Sequence, residues 1–133
     1  MLLRLVDVDH CRREALVALD GDEIVAVARY DALRNEVRSL ARDAEIALTV
    51  EDGWQHRGVG QQLAGALAIL ALERGYDGFV ARILPENRAA LGLIRKLVPN
   101  AVIKFTGGDY EGRLPLRFAR APASPSRGYR TAS

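Results

Sequence analysis

Apolar residues in the first half of the chain occur in short runs of strand length. Glu14–Leu19 and Glu23–Tyr30 are such runs, and the polar triplet Asp20-Gly21-Asp22 separates them. Two apolar runs around an Asp-Gly turn predict a β-hairpin. Ala44–Glu51 predicts a third strand, and the charged stretch Tyr30–Asp43 before it predicts a loop containing at most one helical turn.

The period of the pattern changes to that of a helix after residue 58. Val59–Arg74 carries Leu63 and Leu67 at helical spacing and stops before a glycine, which predicts a helix rich in small residues. Phe79–Leu84 then predicts a fourth strand. A strand–helix–strand succession predicts a right-handed crossover, so this strand is expected to lie parallel to Ala44–Glu51.

A second amphipathic stretch follows the fourth strand. Asn87 is a good N-cap for a helix over Arg88–Leu97, which ends in basic residues and is followed by a proline. Ala101–Phe105 and Leu114–Phe118 predict two final strands, joined by the glycine-rich link at 107–113. Met1–Arg13 predicts either the end of a helix or an irregular lead-in.

The 133 residues indicate one domain, which we place at 1–119. Residues 120–133 are small, polar and proline-bearing, which predicts a disordered tail. The pI is about 9.0, but the tail holds Arg120, Arg127 and Arg130 and no acid, so the body of the chain is close to neutral. This distribution argues against a nucleic-acid-binding face on the domain.

Several other classes of protein are disfavoured by composition. No apolar run approaches the length of a membrane span, so no membrane partner is expected. Cys11 is the single cysteine, which rules out an internal disulfide and favours a cytoplasmic location. Two histidines and one cysteine provide no pattern of metal ligands.

The most informative stretch is Trp54–Gln61, WQHRGVGQ, which connects the third strand to the first long helix. The free N–H groups of a helix's first turn and the helix dipole together favour a bound anion. Gly58 and Gly60 would let the backbone approach a phosphate closely, and Arg57 can add a charge. A phosphate-binding nucleotide domain is an alternative, but the chain has neither G-x-x-x-x-G-K-[ST] nor G-x-G-x-x-G.

The motif Q-x-x-G-x-G, formed here by Gln55, Gly58 and Gly60, lies directly after a strand and opens a helix. In this order, with VEDGWQHRGVG and ILPENRAALGLIRKL around it, the chain resembles the GNAT superfamily of N-acetyltransferases. The sequence of these two segments is most similar to that of the acetyltransferase domain of bacterial Pat-type protein lysine acetyltransferases. The resemblance implies an α/β (α+β) GNAT fold, in which helices flank a mixed, mostly antiparallel sheet.

The resemblance also implies a cofactor, acetyl-CoA, and an amine acceptor that is possibly a protein lysine. It places the pyrophosphate on the backbone of the glycine loop and the pantetheine arm along the third strand, where that strand diverges from its parallel neighbour. The residues implied to bind the cofactor are Leu48, Thr49, Val50, Gln55, His56, Arg57, Gly58, Val59, Gly60, Gln61 and Asn87.

Glu45 is the candidate general base, because a lysine amine with a pKa near ~10.4 is almost wholly protonated at neutral pH. A charged residue in this apolar run has a second interpretation, in which Glu45 is a rim residue paired with Arg29 or Arg42. Both interpretations remain open from the sequence.

The chain departs from the family pattern in two places. GNAT domains begin with a strand and two helices that help to form the acceptor site, and most of that region is predicted to be missing. Ile94 occupies the place of a tyrosine that acts as an acid in many members, and Tyr110 is a weak substitute. An alternative function is therefore a non-catalytic acetyl-CoA-binding module. The missing strand would also leave Glu14–Leu19 as an exposed sheet edge, through which a homodimer could form.

Overall fold

The computed structural model describes residues 1–6, 12–33, 42–99, 101–117 and 129–130. Its regular elements, in chain order, are β1 Leu2–Leu5, β2 Arg13–Asp20, β3 Glu23–Ala32, β4 Asp43–Val50, a 3-10 turn Asp52–Trp54, α1 Val59–Glu73, β5 Gly78–Ile83, α2 Arg88–Leu97, β6 Val102–Thr106, β7 Asp109–Pro115 and β8 Tyr129–Arg130.

The strands form one sheet in the order β6-β7-β5-β4-β3-β2-β1-β8. β4 runs parallel to β5, and β1 runs parallel to the short β8. The other neighbouring pairs are antiparallel. The sheet is therefore mixed and mostly antiparallel, as the resemblance implied.

The predicted hairpin and crossover are both present. β2 and β3 pair around a turn in which Gly21 has a φ of 62°, a left-handed conformation that glycine adopts without strain. Ala44 of β4 pairs with Phe79 of β5 in parallel register, and α1 connects the two strands. The parallel pair that was predicted from the strand–helix–strand succession is thus confirmed.

Both helices pack on the same face of the sheet. Leu63 and Leu67 of α1 are fully buried, together with Tyr30 and Phe79 from the strands beneath. α2 joins this layer through Ile94, whose Cδ1 lies 3.9 Å from the position that a Cβ on Gly112 of β7 would occupy. The opposite face carries no helix among the described residues, and we call it the open face.

The first strand is present, contrary to the prediction of a helix end or an irregular lead-in. Leu2–Leu5 pairs with Leu16–Leu19, and the N–H of Val6 extends the pairing by donating to the carbonyl of Ala15 at 2.9 Å. The run LLRL is too short to carry a clear alternation, so pairing with β2 decides its conformation. β2 consequently lies between β1 and β3. The expected homodimer through an exposed edge at Glu14–Leu19 loses its structural basis.

The final hairpin is longer than predicted. β7 begins at Asp109, so the turn is confined to Gly107 and Gly108, which both have positive φ, and most of the predicted link at 107–113 is strand. Of the tail predicted to be disordered, residues 129–130 form β8, and the rest lies outside the described residues. Most of the predicted loop before β4 also lies outside them.

A charged pair is buried beneath the C-terminal end of α1. The Glu14 side chain is fully buried, and its Oε2 lies 2.8 Å from Nη2 of Arg74. Tyr30, the cross-strand partner of Glu14, packs edge-on against Tyr76. Burial raises the pKa of Tyr30 to about 12, while the charge of Arg74 acts in the opposite direction. This cluster lies at the opposite end of α1 from the glycine loop.

Candidate functional site

The connection from β4 to α1 contains two consecutive tight turns. His56 has a φ of 63°, which is unusual for a residue with a side chain, and Gly58, the N-cap of α1, has a φ of 82°. Gly58 is required by this left-handed turn, and an added Cβ there would contact nothing within 4 Å. The local conformation of the chain is a sufficient reason for this glycine.

Gly60 is needed for a different reason. A Cβ on Gly60 would lie 3.2 Å from side-chain carbons of both Leu48 and Leu93, which is closer than ordinary van der Waals contact. The start of α1 is therefore packed tightly between β4 and α2. The sequence analysis proposed that a Cβ at Gly60 would intrude on a phosphate, whereas the structure shows that it would intrude on neighbouring side chains.

The first turn of α1 is open to an anion. No side chain of the described residues caps it, and no Asp or Glu lies in its first turn. The first N–H groups of an α-helix have no acceptor within the helix and carry partial positive charge. The amides of Val59, Gly60 and Gln61 are thus placed to bind a phosphate.

Gln55 stabilises the loop from within. Its Nε2 donates to the carbonyl oxygen of Val50 and to Oδ1 of Asp52, both at 3.2 Å. Arg57 turns back over the ring of Trp54, with 4.5 Å between its Cζ and the ring centroid, and donates to the carbonyl of Gly53 at 3.4 Å. These contacts hold the loop together and attach it to the end of β4.

β4 and β5 separate before either strand ends. Their pairing stops at Ile46 and Ala81, whereas β4 continues to Val50 and β5 to Ile83. β3 remains paired with β4 as far as Val50, so only the edge of β4 that faces β5 is open. This confirms the predicted wedge between the parallel strands, and it leaves backbone groups of β4 available to a ligand.

A cavity of about 470 Å³ extends from the glycine loop along Leu48–Val50, the end of β4 that is not paired with β5. It lies between the end of β4, the start of α1 and one side of α2. Its lining includes most of the residues that the resemblance implied for the cofactor: Leu48, Thr49, Val50, Gln55, His56, Gly58, Gly60, Gln61 and Asn87.

Two of the implied cofactor residues do not line the cavity. Val59 is 3% exposed and packs into the core, so its backbone N–H is the only group that it can offer. The Arg57 side chain is occupied by Trp54. The sequence analysis missed the wall formed by α2, although Arg88, Gly92 and Lys96 share one helical face through their spacing of four.

Asn87 caps α2, as predicted from the sequence. Its Oδ1 accepts a hydrogen bond from the N–H of Ala90 at 3.1 Å. Among the described residues we find no acceptor for its Nδ2, so the cap leaves this donor for a ligand in the cavity. Capping and ligand binding by Asn87 are thus compatible.

Glu45 lies on the open face, exposed, and outside the cavity lining. It pairs with Asp31 of β3 and with Val80 of β5, two residues before the wedge opens at Ala47. In the described part of the chain it forms no ion pair with Arg29 or Arg42. Arg42 instead donates to the carbonyl of Arg74 at 3.0 Å. The interpretation of Glu45 as a paired rim residue is therefore not supported.

Ile94 offers no proton donor to the wedge. It is 6% exposed and packs against β7 in the core. Tyr110 is half-buried opposite Ile83, and its ring stacks edge-on against Phe105 at 5.0 Å. Neither Ile94 nor Tyr110 lines the cavity.

The chain is similar to known acetyltransferases in sequence. Residues 3–97 match the sequence profile of the acetyltransferase (GNAT) family. The chain is 33% identical over 99 residues to acetyltransferase Pat of Mycolicibacterium smegmatis, an alignment that covers 73% of this chain and 28% of that protein. It therefore spans little more than a quarter of that relative's length.

Solved structures share its fold. The GNAT domain of Pat from S. lividans superposes with a TM-score of 0.71 at 29% identity, covering 82% of this chain and 64% of that one. The yncA protein of Salmonella typhimurium, solved with its cofactor acetyl-CoA, superposes with a TM-score of 0.64 at 21% identity over 78% of this chain and 65% of that one. Within the described residues, no helix is long and apolar enough to cross a membrane.

Proposed function

We propose that this chain, which belongs to the GNAT acetyltransferase family, transfers an acetyl group from acetyl-CoA to a primary amine, with a protein lysine as the acceptor. The observation that carries the proposal is the continuous path from the uncapped first turn of α1 to the open edge of β4. This path suits a ligand with a diphosphate at one end and an amide-bearing arm at the other.

The residues of the site fit acetyl-CoA. The amides at the start of α1 hold the pyrophosphate, and Gln55 keeps their loop in place from below. The backbone at Leu48–Val50, which is not paired with β5, would hold the pantetheine arm by hydrogen bonds, as it would hold an added strand. Asn87 contributes its free Nδ2. The cofactor supplies the acetyl group activated as a thioester, and a backbone N–H near Leu48 donates to the thioester oxygen.

Glu45 acts as the general base. Alternate residues of a strand share a face at a spacing of about 6.6 Å, so Glu45 lies beside Ala47, where the wedge begins. Its carboxylate accepts a proton from the incoming ammonium group, directly or through a water molecule. The neutral amine then attacks the thioester carbon. The departing sulfur receives its proton from water, since Ile94 cannot donate one.

A protein lysine suits this geometry better than a small amine. Glu45 lies exposed on the open face, and it does not line the cavity beside the glycine loop. A small amine would have few groups to hold it there, whereas a protein brings its own contact surface. The similarity to Pat supports the same acceptor class.

We expect Glu45→Gln to lower the rate at neutral pH by about 10²- to 10⁴-fold while the affinity for acetyl-CoA stays unchanged. The defect should shrink as the pH approaches the lysine pKa of ~10.4, because the amine then loses its proton without help. Thiol release with casein, an unstructured lysine-bearing protein, would report the rate, and calorimetry would report the affinity.

Glu51→Gln is the matched control, since Glu51 is an exposed carboxylate just beyond β4 and is expected to leave the rate intact. A Glu45→Gln protein with the wild-type rate and pH profile would exclude Glu45 as the base. Faster turnover of spermidine than of casein would contradict the protein acceptor.

The buried Ile94 favours a second candidate, a module that binds acetyl-CoA without turning it over. A tyrosine hydroxyl in this place would assist departure of the thiolate, and an isoleucine cannot. The same two assays separate the candidates. Tight acetyl-CoA binding with no thiol release from any amine would favour the module, and thiol release coupled to acceptor acetylation would exclude it.

A further inference from the structure

The wall of the cavity formed by α2 is positively charged. Arg88 and Lys96 both line the cavity, together with His56, whereas no Asp or Glu is found among the described lining residues. The chain as a whole has a formal net charge of only +2. Cationic groups are thus concentrated at this site, beyond the amides of α1 that the pyrophosphate uses.

Gly92 leaves a gap in this wall between the two cations. A Cβ added to Gly92 would meet no atom of the described residues within 4 Å, and the residue does not have a positive φ. Neither packing nor backbone conformation therefore requires a glycine here, although glycine inside a helix costs about 1 kcal/mol relative to alanine. The gap opens into the cavity.

Helix geometry determines which of the two cations covers the gap. Side chains of an α-helix lean towards its N-terminus, so the residue four positions later covers a given spot. Lys96 consequently leans over Gly92, while Arg88 leans away towards the start of the helix. Lys96 lies one turn beyond Leu93, the residue by which α2 touches Gly60 at the start of α1. The gap is thus close to the pyrophosphate site but distinct from it.

We propose that Lys96 and the gap at Gly92 form a subsite for a phosphate monoester, which takes the 3′-phosphate of coenzyme A. The proposal rests on acetyl-CoA being the cofactor, as argued above. A phosphate monoester carries a charge of about −1.5 to −2 at neutral pH, more than either single phosphate of the pyrophosphate, which carries one charge each. Lys96 donates to it across the gap, and Arg88 adds to the positive potential. The protein therefore distinguishes coenzyme A from dephospho-coenzyme A.

Calorimetric titration with these two ligands tests the subsite. We expect the wild-type protein to bind coenzyme A about tenfold more tightly than dephospho-coenzyme A, as is usual for one hydrogen bond between charged groups. Lys96→Ala should remove this preference by weakening the binding of coenzyme A alone. Arg95→Ala is the matched control, because Arg95 is also a basic residue of the last turn but does not line the cavity, and it should keep the preference.

Gly92→Leu provides a second variant that cannot fail through helix stability, since leucine favours a helix more than glycine does. It should fill the gap and weaken coenzyme A binding about tenfold, with a smaller effect on the dephospho ligand. Equal losses for both ligands in Lys96→Ala would place Lys96 on the pyrophosphate and overturn the subsite, as would no loss for either. A wild-type protein that binds neither ligand would instead refute the proposed cofactor, and the subsite with it.

Discussion

Tyr30 shows what a single buried polar atom contributes to this domain. The side chain is fully buried, and its hydroxyl has no hydrogen-bond partner among the described residues. An unpaired buried hydroxyl destabilises the folded state, so Tyr30→Phe should leave the free energy of unfolding unchanged or raise it by up to about 1 kcal/mol. Urea denaturation at neutral pH measures this difference.

The same substitution should change how stability depends on pH. Burial raises the pKa of Tyr30 to about 12, whereas a tyrosine of the unfolded chain ionises near ~10. The folded state then binds more protons than the unfolded state in this interval, so the wild-type protein loses stability as the pH rises from about 10 to about 12. Tyr30→Phe should lose less over the same interval. If the free energy of unfolding of the two proteins changed equally with pH over this interval, the raised pKa of Tyr30 would be contradicted.

The residues of the glycine loop could be found from the sequence, but their individual roles could not. Gln55, Gly58 and Gly60 were selected by spacing and position, and each lines the cavity. The side chain of Gln55, however, hydrogen-bonds to Val50 and Asp52. Gly60 is required by close packing against Leu93. Both roles depend on residues distant in sequence or on side-chain direction, which spacing does not encode.

At the level of elements, α1 contains a glycine that its own structure does not need. A Cβ on Gly65 would meet no atom of the described residues within 4 Å, so close packing on the sheet does not require this glycine. Gly65→Ala should therefore raise the free energy of unfolding by about 0.5–1 kcal/mol through helix propensity alone, as measured by urea denaturation.

Gly60→Ala in the same helix is the natural comparison. Its Cβ would lie 3.2 Å from carbons of Leu48 and Leu93, so these side chains would have to move. We expect no gain in stability from this variant. A similar gain from both substitutions would mean that propensity, and not packing, controls the start of α1.

Elements with strong local patterns were predicted well, and those that depend on pairing were not. α1 and α2 have helical periods, a glycine stop and an Asn cap, and the structure contains both. β1 and the first half of β7 have weak patterns, because LLRL is short and DYEGR is polar. Their strand conformation follows from pairing with β2 and with β5. This dependence on distant partners is also why the dimer edge was misplaced.

At the level of the whole molecule, the candidate cofactor cavity and the candidate general base lie on opposite faces of the sheet. The cavity lies on the face that bears the helices, whereas Glu45 lies on the open face of the same strand, β4. The strand–helix–strand order of the sequence predicted that β4 and β5 are parallel, and the resemblance to the GNAT superfamily implied that they diverge. The sequence could not show that the cavity and Glu45 lie on opposite faces, since the face of Glu45 depends on strand register.

Ala47→Phe tests this separation. Ala47 is exposed on the open face beside Glu45, at the first position of β4 that is no longer paired with β5. A phenyl ring there would obstruct the acceptor, so we expect the KM for casein to rise about tenfold or more while the affinity for acetyl-CoA, measured by calorimetry, stays the same. Val102→Phe serves as the control, because Val102 is also exposed, at 64%, but lies on the edge strand β6, far from the wedge. A weakened affinity for acetyl-CoA in Ala47→Phe, with an unchanged KM for casein, would mean that the cofactor and not the acceptor uses the open face.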